Sequence, residues 1–582
     1  MCGRSPTGSY PQPCSLFVAL TAHSTPSIVP SWVAACALLS LGAASAGCYS
    51  PAELRDRADR DALAIVDQRR NELFGDTGPF ALPSATAAFG RDERPPSEWT
   101  TREQVLSGLL DRVGPLNELG ALEIAAEDSQ QVQEEREALY LAALDLTQDR
   151  WFFGYRYDAD GSAGLAGELD GDSGSANAGF GASVTRILGS GAVILANVGN
   201  SLFRFISTGD GFDAISNIGL SVTQPLLRGS GRLVTLEPLR QSERNLIYAV
   251  RDYERFRRTY AVTVAGNVYA VLQAIDQLKN EQLNFDNLAI LTERNEALAE
   301  AGQQTEIQAD QARQDQLASK NQLVILQGSL ELAIDQFKVF LGLPVSVGLE
   351  FEEGLLQTLG SDSSFLEGID EDVAAEFAID HRLDVMTAFD QVQDAVRQEA
   401  IARDALRVGL GISASADSQS PDGRPLGFRL GDVDWAANLD VDLPVDLLPL
   451  RNAWRRAEIN LVDTRRVYDR FLDNVTVSTR DALRSARNSY ASFEIQQNAV
   501  VLAVRRVESS QLSLSAGLAT TRDVLESQAA LRSARNNATS ARISFTLALL
   551  DLWLELEILR VDETGIHYDA ELSEELHARL AQ

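Results

Sequence analysis

Few residues of this 582-residue chain are placed to do covalent chemistry. The four cysteines, Cys2, Cys14, Cys36 and Cys48, all fall in the first 48 residues. The body of the protein therefore has neither a disulfide framework nor a thiolate metal site. His23, His381, His567 and His577 are the only histidines, and they lack metal-ligand spacing. His381-Arg382-x-Asp384 has the residue types of a catalytic cluster but stands at a helix start, where a carboxylate complements the helix dipole. Gly189-Ser190-Gly191 and Gly209-Asp210-Gly211 lack the strand-to-helix setting and the lysine of a phosphate loop, and read as turns. No nucleophile elbow and no paired acid-base carboxylates emerge. The chain is expected not to be an enzyme and to hold neither metal nor cofactor.

The thiol with a chemical future is Cys48. Trp32–Gly47 is an apolar run of signal-peptide length that ends in small residues and is too short for a transmembrane helix. Ser45-Ala46-Gly47 before Cys48 resembles the bacterial lipoprotein signal, which implies lipidation of Cys48 as the new N-terminus. It departs from that pattern in having Ser45 where leucine is usual, and the long front carries one basic residue, Arg4, which fits a true start further in. Plain cleavage near Ala46 is the alternative and would leave the thiol unmodified.

Charge and composition narrow the partners. With 83 acidic against 51 basic side chains the net charge is -32, which repels nucleic acid and anionic lipid at long range. Hydrophobic content of 45% is that of a folded chain. No nucleic-acid partner is expected.

The elements that would position any functional residue occur twice. Two alternating strand-like segments lead to a Pro-centred turn and two long helical stretches, and the plan recurs about 215–235 residues later. Pro225 answers Pro444, Gly302 answers Gly517, and Leu141–Asp145 answers Phe377–Asp380. In 406–416, Leu406, Val408, Leu410, Ile412 and Ala414 alternate with Arg407, Gly409, Gly411, Ser413 and Ser415. In 437–445, Leu439, Val441, Leu443 and Val445 alternate with Asn438, Asp440, Asp442 and Pro444. Such alternation gives a sheet with one apolar and one polar face, and runs of about 9–11 residues suit a tilted strand crossing a bilayer. In the first copy, Ile218, Leu220 and Val222 alternate after an ambiguous region from Phe180 to Ile206, and 154–178, rich in Gly, Asp and Ser, reads as a loop.

Helical patterns occupy roughly 101–112 and 130–150, then a stretch from about Leu233 to Leu278 with a coiled-coil seam at Leu246, Val250, Tyr253, Tyr260, Val264, Val268, Val271, Ile275 and Leu278. A second stretch ends at Gly342-Leu343-Pro344. The expected organisation is a signal peptide at 1–47 and a polar, extended lead-in at 48–100. A first repeat follows at 101–345 (strands about 180–222, helices about 233–341), then an acidic linker at 346–370. The second repeat is 371–560 (strands about 406–416 and 437–445, helices about 449–556), with a tail at 561–582.

Four segments together are similar to the TolC-type outer-membrane efflux protein family. They are Ala378–Ala416 (AIDHRLDVMTAFDQVQDAVRQEAIARDALRVGLGISASA), Leu220–Gly231 (LSVTQPLLRGSG), Leu439–Glu458 (LDVDLPVDLLPLRNAWRRAE) and Ala516–Ala534 (AGLATTRDVLESQAALRSA). The resemblance covers roughly 130–560, and the first helical turn (Gly302, Thr305, Ile307) lacks the Asp-Val pair of the second. It implies an α+β membrane protein, a homotrimer whose four strands per chain close a twelve-stranded barrel continued by a coiled-coil tunnel through the periplasm. The implied role is the exit duct of a tripartite efflux or type I secretion system. Its partners would be a periplasmic adaptor protein, a proton-driven or ATP-driven inner-membrane pump, and outer-membrane lipid.

Residue roles follow from the same likeness. Leu406, Val408, Leu410, Leu439, Val441 and Leu443 would face lipid, and Asp440 and Asp442 the lumen or its mouth. Gly302, Thr305, Gly517, Thr520, Val524 and Leu525 would form hairpin tips that meet the adaptor, with Asp523 and Glu526 as carboxylate rings at the periplasmic entrance. The rival reading is a lipid-anchored periplasmic coiled-coil scaffold without transport activity, which needs no lipid-facing strand faces.

Overall fold

The computed structural model describes residues 50–75, 78–81, 114–167, 174–205, 213–352, 354–360, 363–421, 424, 427–429, 431–562 and 565–580. The leader with Cys48, the expected helix at 101–112 and the expected turn at Gly209-Asp210-Gly211 lie outside them. The chain divides into two compact units, Met1–Arg60 and Asp61–Gln582. In the first, Ser50 and Glu53 exchange reciprocal hydrogen bonds, Glu53 N–H to Ser50 Oγ (3.2 Å) and Ser50 N–H to Glu53 Oε2 (2.9 Å), which starts helix α1, Pro51–Phe74. This corrects the expectation of an extended lead-in. The part of α1 in the second unit buries Ala62 and Val66 among Leu139, Ala143, Leu246 and Val250.

The second unit holds the duplication. Helices α2 (Glu118–Asp128) and α3 (Gln130–Phe153) precede strands β1 (Tyr155–Gly167), β2 (Gly174–Ile187), β3 (Val193–Phe205) and β4 (Asp213–Pro225). Helices α4 (Glu237–Glu300) and α5 (Glu306–Leu341) follow. The second copy runs α6 (Glu371–His381), α7 (Leu383–Asp404), β5 (Gly409–Gln419), β6 (Val433–Asp442), α8 (Leu448–Ser515) and α9 (Thr521–Glu555). The copies match helix for helix, but the first has four strands and the second two. The expected loop at 154–178 is in fact β1 and the start of β2. Tyr155, Tyr157 and Leu165 alternate there with polar residues, but the alanines and glycines between them dilute the signal below a strand pattern.

Helix α4 does not pause near Leu278 but continues to Glu300, so its 64 residues span roughly 95 Å, and the 68 of α8 roughly 100 Å. Pro238 is accommodated in the first turn of α4, where no helical N–H partner is lost. The predicted seam is buried at Leu246, Val250, Tyr253, Tyr260, Val264, Val268 and Val271. The acidic linker and the tail also fold. Phe365, Leu366 and Ile369 join a core with Phe377, Leu483 and Phe545. Beyond α9, β7 (Leu559–Asp562) and β8 (Gly565–Tyr568) form a hairpin, and α10 (Ala570–Leu580) buries Leu576 in the same core.

An ion-pair ladder ties the two copies together. Arg244 of α4 reaches Asp390 (2.8 Å) and Asp394 (2.7 Å) of α7, and Arg251 reaches Asp390 (2.8 Å). Arg255 reaches Asp384 (3.4 Å) and Glu557 (2.6 Å), and Arg258 also pairs with Glu557. His381-Arg382-x-Asp384 serves this ladder. The Arg382 guanidinium donates twice to Asp384 (3.1 and 2.8 Å) and also to Glu555, while the His381 ring stacks on Phe377 at 4.1 Å. Burial alone pushes the Asp384 carboxyl up, but the hydrogen bonds from Arg382 and the charges of Arg255 and Arg382 outweigh it and leave it below the usual carboxylate range.

A depressed carboxyl contributes stability that is present above the ordinary value and lost as pH falls through the lowered one. Asp384→Asn should therefore cost about 2 kcal/mol at neutral pH. In melting experiments the gap from the unsubstituted protein should close as pH drops below the usual carboxylate range. A gap independent of pH would show that Asp384 does not act through its charge.

Candidate functional site

The six strands form one antiparallel sheet in the order β1-β2-β3-β4-β5-β6. Directly paired residues in such a sheet share a face, so the register assigns every side chain to one side or the other. One row across all six strands reads Tyr157, Val184, Ala196, Leu220, Ala416, Trp435. The adjacent row, on the opposite face, reads Asp158, Ser183, Asn197, Gly219, Asp417, Asp434. Most rows repeat this split, with Arg186, Asn200, Ser216, Gln224 and Ser418 as polar members of the apolar rows and Leu195 and Ile215 as apolar members of the polar ones. Arg186 lies over the Tyr155 ring at 4.2 Å.

Among the described residues nothing covers the apolar face. Tyr157 is 74% exposed, Trp435 78% and Leu165 81%, far above what a soluble sheet leaves to water. A shallow groove of about 700 Å³ crosses it, lined by Ala182, Val198, Ile218 and Leu220 among others. The polar face is built from small and acidic groups. Ser413 Oγ donates to Asp440 (3.1 Å), and Asp442 is paired with Arg228 from the turn after β4. Gly219 leaves room for two of these side chains. A Cβ at that position would meet Asp417 Oδ1 at 2.4 Å and Asn197 Oδ1 at 2.6 Å, since both side chains lean over it.

The expected lipid-facing set is partly corrected. Leu410, Leu439 and Val441 lie on the apolar face, with Leu410 opposite Val441 and Ile412 opposite Leu439. Leu406 and Val408 precede β5: Leu406 lies in the turn that leaves α7, where its N–H bonds Arg403 O (3.2 Å), and Val408 O accepts from Arg228 N–H (3.4 Å). Leu443 follows the end of β6, just before Pro444, which has no N–H to continue a ladder. The strands begin and end about three residues from their expected limits, and Trp435 was outside the expected run.

At the far ends of the long helices, two turns share one geometry. After α4, Gly302 sits at φ 68° and Gln303 N–H bonds Leu298 O at 2.8 Å. After α8, Gly517 sits at φ 75° and Leu518 N–H bonds Ser513 O at 2.8 Å. Both are helix-ending glycine motifs that need the left-handed region. The two turns differ at the next helix start. Thr520 caps α9 by accepting from Asp523 N–H (3.4 Å), and Asp523 Oδ2 accepts from Thr520 N–H (2.8 Å) and Thr520 Oγ1 (2.7 Å). Thr305 begins α5 with no side-chain cap.

Those two hydrogen bonds from Thr520 hold the exposed Asp523 carboxyl below its usual range. Glu526, one turn on, pairs with Arg506 at 3.1 Å. Val524 and Leu525, expected to meet a partner, instead have their side chains buried against Leu288 and Leu291 and so hold the two hairpins together. The apolar side chains offered at the tips are Leu518, 84% exposed, and Ile307, 75% exposed. Their position directly beside the tip glycine and the helix start was the available signal for Leu518.

With this geometry in place, known proteins can be compared. The family model described as outer membrane efflux protein matches residues 195–343, from inside β3 through α5. No curated protein sequence matches the chain. Among solved structures, the chain is similar to the outer membrane protein VceC from Vibrio cholerae, at 17% identity over 75% of this chain and 95% of that one, with a TM-score of 0.54. It is similar to the CmeC outer membrane channel of Campylobacter jejuni (13% identity, 82% and 91% covered, TM-score 0.53). It is also similar to the open state of the MtrE outer membrane channel of Neisseria gonorrhoeae (15% identity, 75% and 88% covered, TM-score 0.54). The likeness to outer-membrane efflux proteins read in the sequence is borne out, and the fold is that of these channels.

The unequal caps make a local prediction. Thr520→Ala should destabilise the start of α9 by about 1 kcal/mol and raise amide exchange there. Thr305→Ala at the matched place in the first copy should change exchange at α5 little. Equal effects at the two sites would mean that the Thr520–Asp523 box adds nothing.

Proposed function

We propose that this chain is one subunit of an exit duct in the outer membrane of a cell envelope. Three copies close a barrel through their sheets, and their long helices continue it as a tunnel through the periplasm. The duct is passive. It receives substrate from a proton-driven or ATP-driven inner-membrane pump through an adaptor protein seated at the helical tips, in a tripartite efflux or type I secretion system.

The observation that carries this reading is the two-faced sheet. An uncovered apolar face on strands of 10 to 14 residues matches the thickness of a bilayer, and the polar, acidic face behind it matches a wet lumen. Helix α5 also leaves Leu317, Val324, Leu332 and Val339 exposed about a heptad apart, an apolar seam suited to a neighbouring copy. A lipid-anchored scaffold requires helices but gives no reason for an apolar sheet face.

At the tip, threefold symmetry would bring three Asp523 carboxylates around one axis and make the entrance favour cations. Glu526 would add less, because Arg506 is beside it. Leu518 and Ile307 are suited to an apolar docking contact with the adaptor.

Purified protein in planar bilayers should give cation-selective channels. Asp523→Asn should reduce that selectivity several-fold, and in the unsubstituted protein acidification that protonates the carboxylates should do the same. A monomer that forms no channel would contradict the duct. Unchanged selectivity in the substituted channel would remove Asp523 from the entrance.

A further inference from the structure

The hairpin β1–β2 has no counterpart in the second copy. There α7 leads straight into two strands, whereas α3 leads into four. It is nonetheless no appendage. β2 pairs with β3 along its length from Ser175 to Ile187, and β1 pairs with β2 from Tyr155 to Gly167. The apolar row continues through both without a change of face.

We infer that β1 and β2 are part of the barrel wall, so that β1 of one copy pairs with β6 of the next and three copies close an eighteen-stranded barrel rather than a twelve-stranded one. This rests on the duct reading and concerns its bore. Six strands from each of three copies make eighteen. The outer edges of β1 and β6 pair with no strand among the described residues. Bare backbone N–H and C=O groups cannot face hydrocarbon, so each edge needs a strand.

The two edges suit each other. β1 follows α3 and β6 precedes α8, and an even number of strands makes them run antiparallel when copies meet side by side. Both edge strands carry the apolar face to the rim, through Tyr157 and Leu165 on β1 and Trp435 and Leu439 on β6. A β3-to-β6 closure, which twelve strands would need, requires an edge of β3 that β2 already occupies.

Barrel diameter grows roughly linearly with strand number, so the lumen in the membrane would be about 1.5 times as wide as that of twelve strands. The long helices remain two hairpins per chain. The membrane segment is then wider than the helical count demands, and the size limit on cargo falls to the helical tunnel and its tip.

Cross-linking in membranes tests this, since the unsubstituted chain has no cysteine after Cys48 and serves as the control. Within one chain β1 and β6 are five strand spacings apart, roughly 24 Å, beyond a short bismaleimide. Ala159→Cys or Ala163→Cys, each combined with Trp435→Cys or Ala437→Cys, covers neighbouring registers between β1 and β6. Ala196→Cys on β3 with the same β6 partners reports the narrower closure. The expected result is covalent dimers and trimers from β1–β6 pairs and none from β3–β6 pairs. Links from β3–β6 alone would overturn the inference and leave a twelve-stranded duct. Links from neither, with channels still conducting in bilayers, would overturn it while sparing the duct. Links from neither and no conductance would overturn both.

Discussion

In the duct proposed for this chain, a sheet with one face for hydrocarbon cannot stop at an unpaired edge, and the rest of the molecule depends on that constraint. Water would satisfy the free N–H and C=O groups of a soluble edge strand, but lipid offers no donor or acceptor. A chain that contributes an open six-stranded sheet is therefore incomplete alone. The same incompleteness recurs in the helices, where α5 presents exposed Leu317, Val324, Leu332 and Val339. On that reading a second copy of the chain occupies the apolar seams of both layers.

The helical half must hold its own register whatever surrounds the sheet. Apolar packing alone is permissive about sliding one long helix along another. The ladder of Arg244, Arg251, Arg255 and Arg258 against Asp384, Asp390, Asp394 and Glu557 is not, because one turn of slip would leave buried charge unpaired. It joins α4 of the first copy to α7 of the second, close to where the strands begin. The duplicated halves are thus locked to each other along α4 and meet again at the tips through Leu288, Leu291, Val524 and Leu525.

Period and punctuation made much of this legible in the sequence. The heptad seam of α4, the Gly302 and Gly517 turns, and the apolar phase of Leu410, Leu439 and Val441 all follow from residue spacing. Other parts were hidden for physical reasons. β1 and β2 alternate mainly between alanine, glycine and small polar groups, so their faces differ too little in hydrophobicity to register, although pairing with β3 makes them strands. Leu406 and Val408 keep the alternation of β5 but precede it, Leu406 in the turn that leaves α7. Val524 and Leu525 share the motif of the tip, yet their burial depends on α4, more than two hundred residues earlier. The capping of Asp523 by Thr520 was within reach, since a Thr-x-x-Asp spacing before a helix is a local signal.

The central claim is that one side of the sheet meets lipid and the other meets water. Spin labels placed one at a time along β5 and β6, from residue 410 to 416 and from 435 to 441, test it most directly in liposomes. Accessibility to oxygen and to a water-soluble nickel chelate should alternate with a period of two and run out of phase. The oxygen maxima should fall at Leu410, Ile412, Ala414, Leu439 and Val441. Uniform accessibility to the chelate, or burial from both reagents at those positions, would contradict the account.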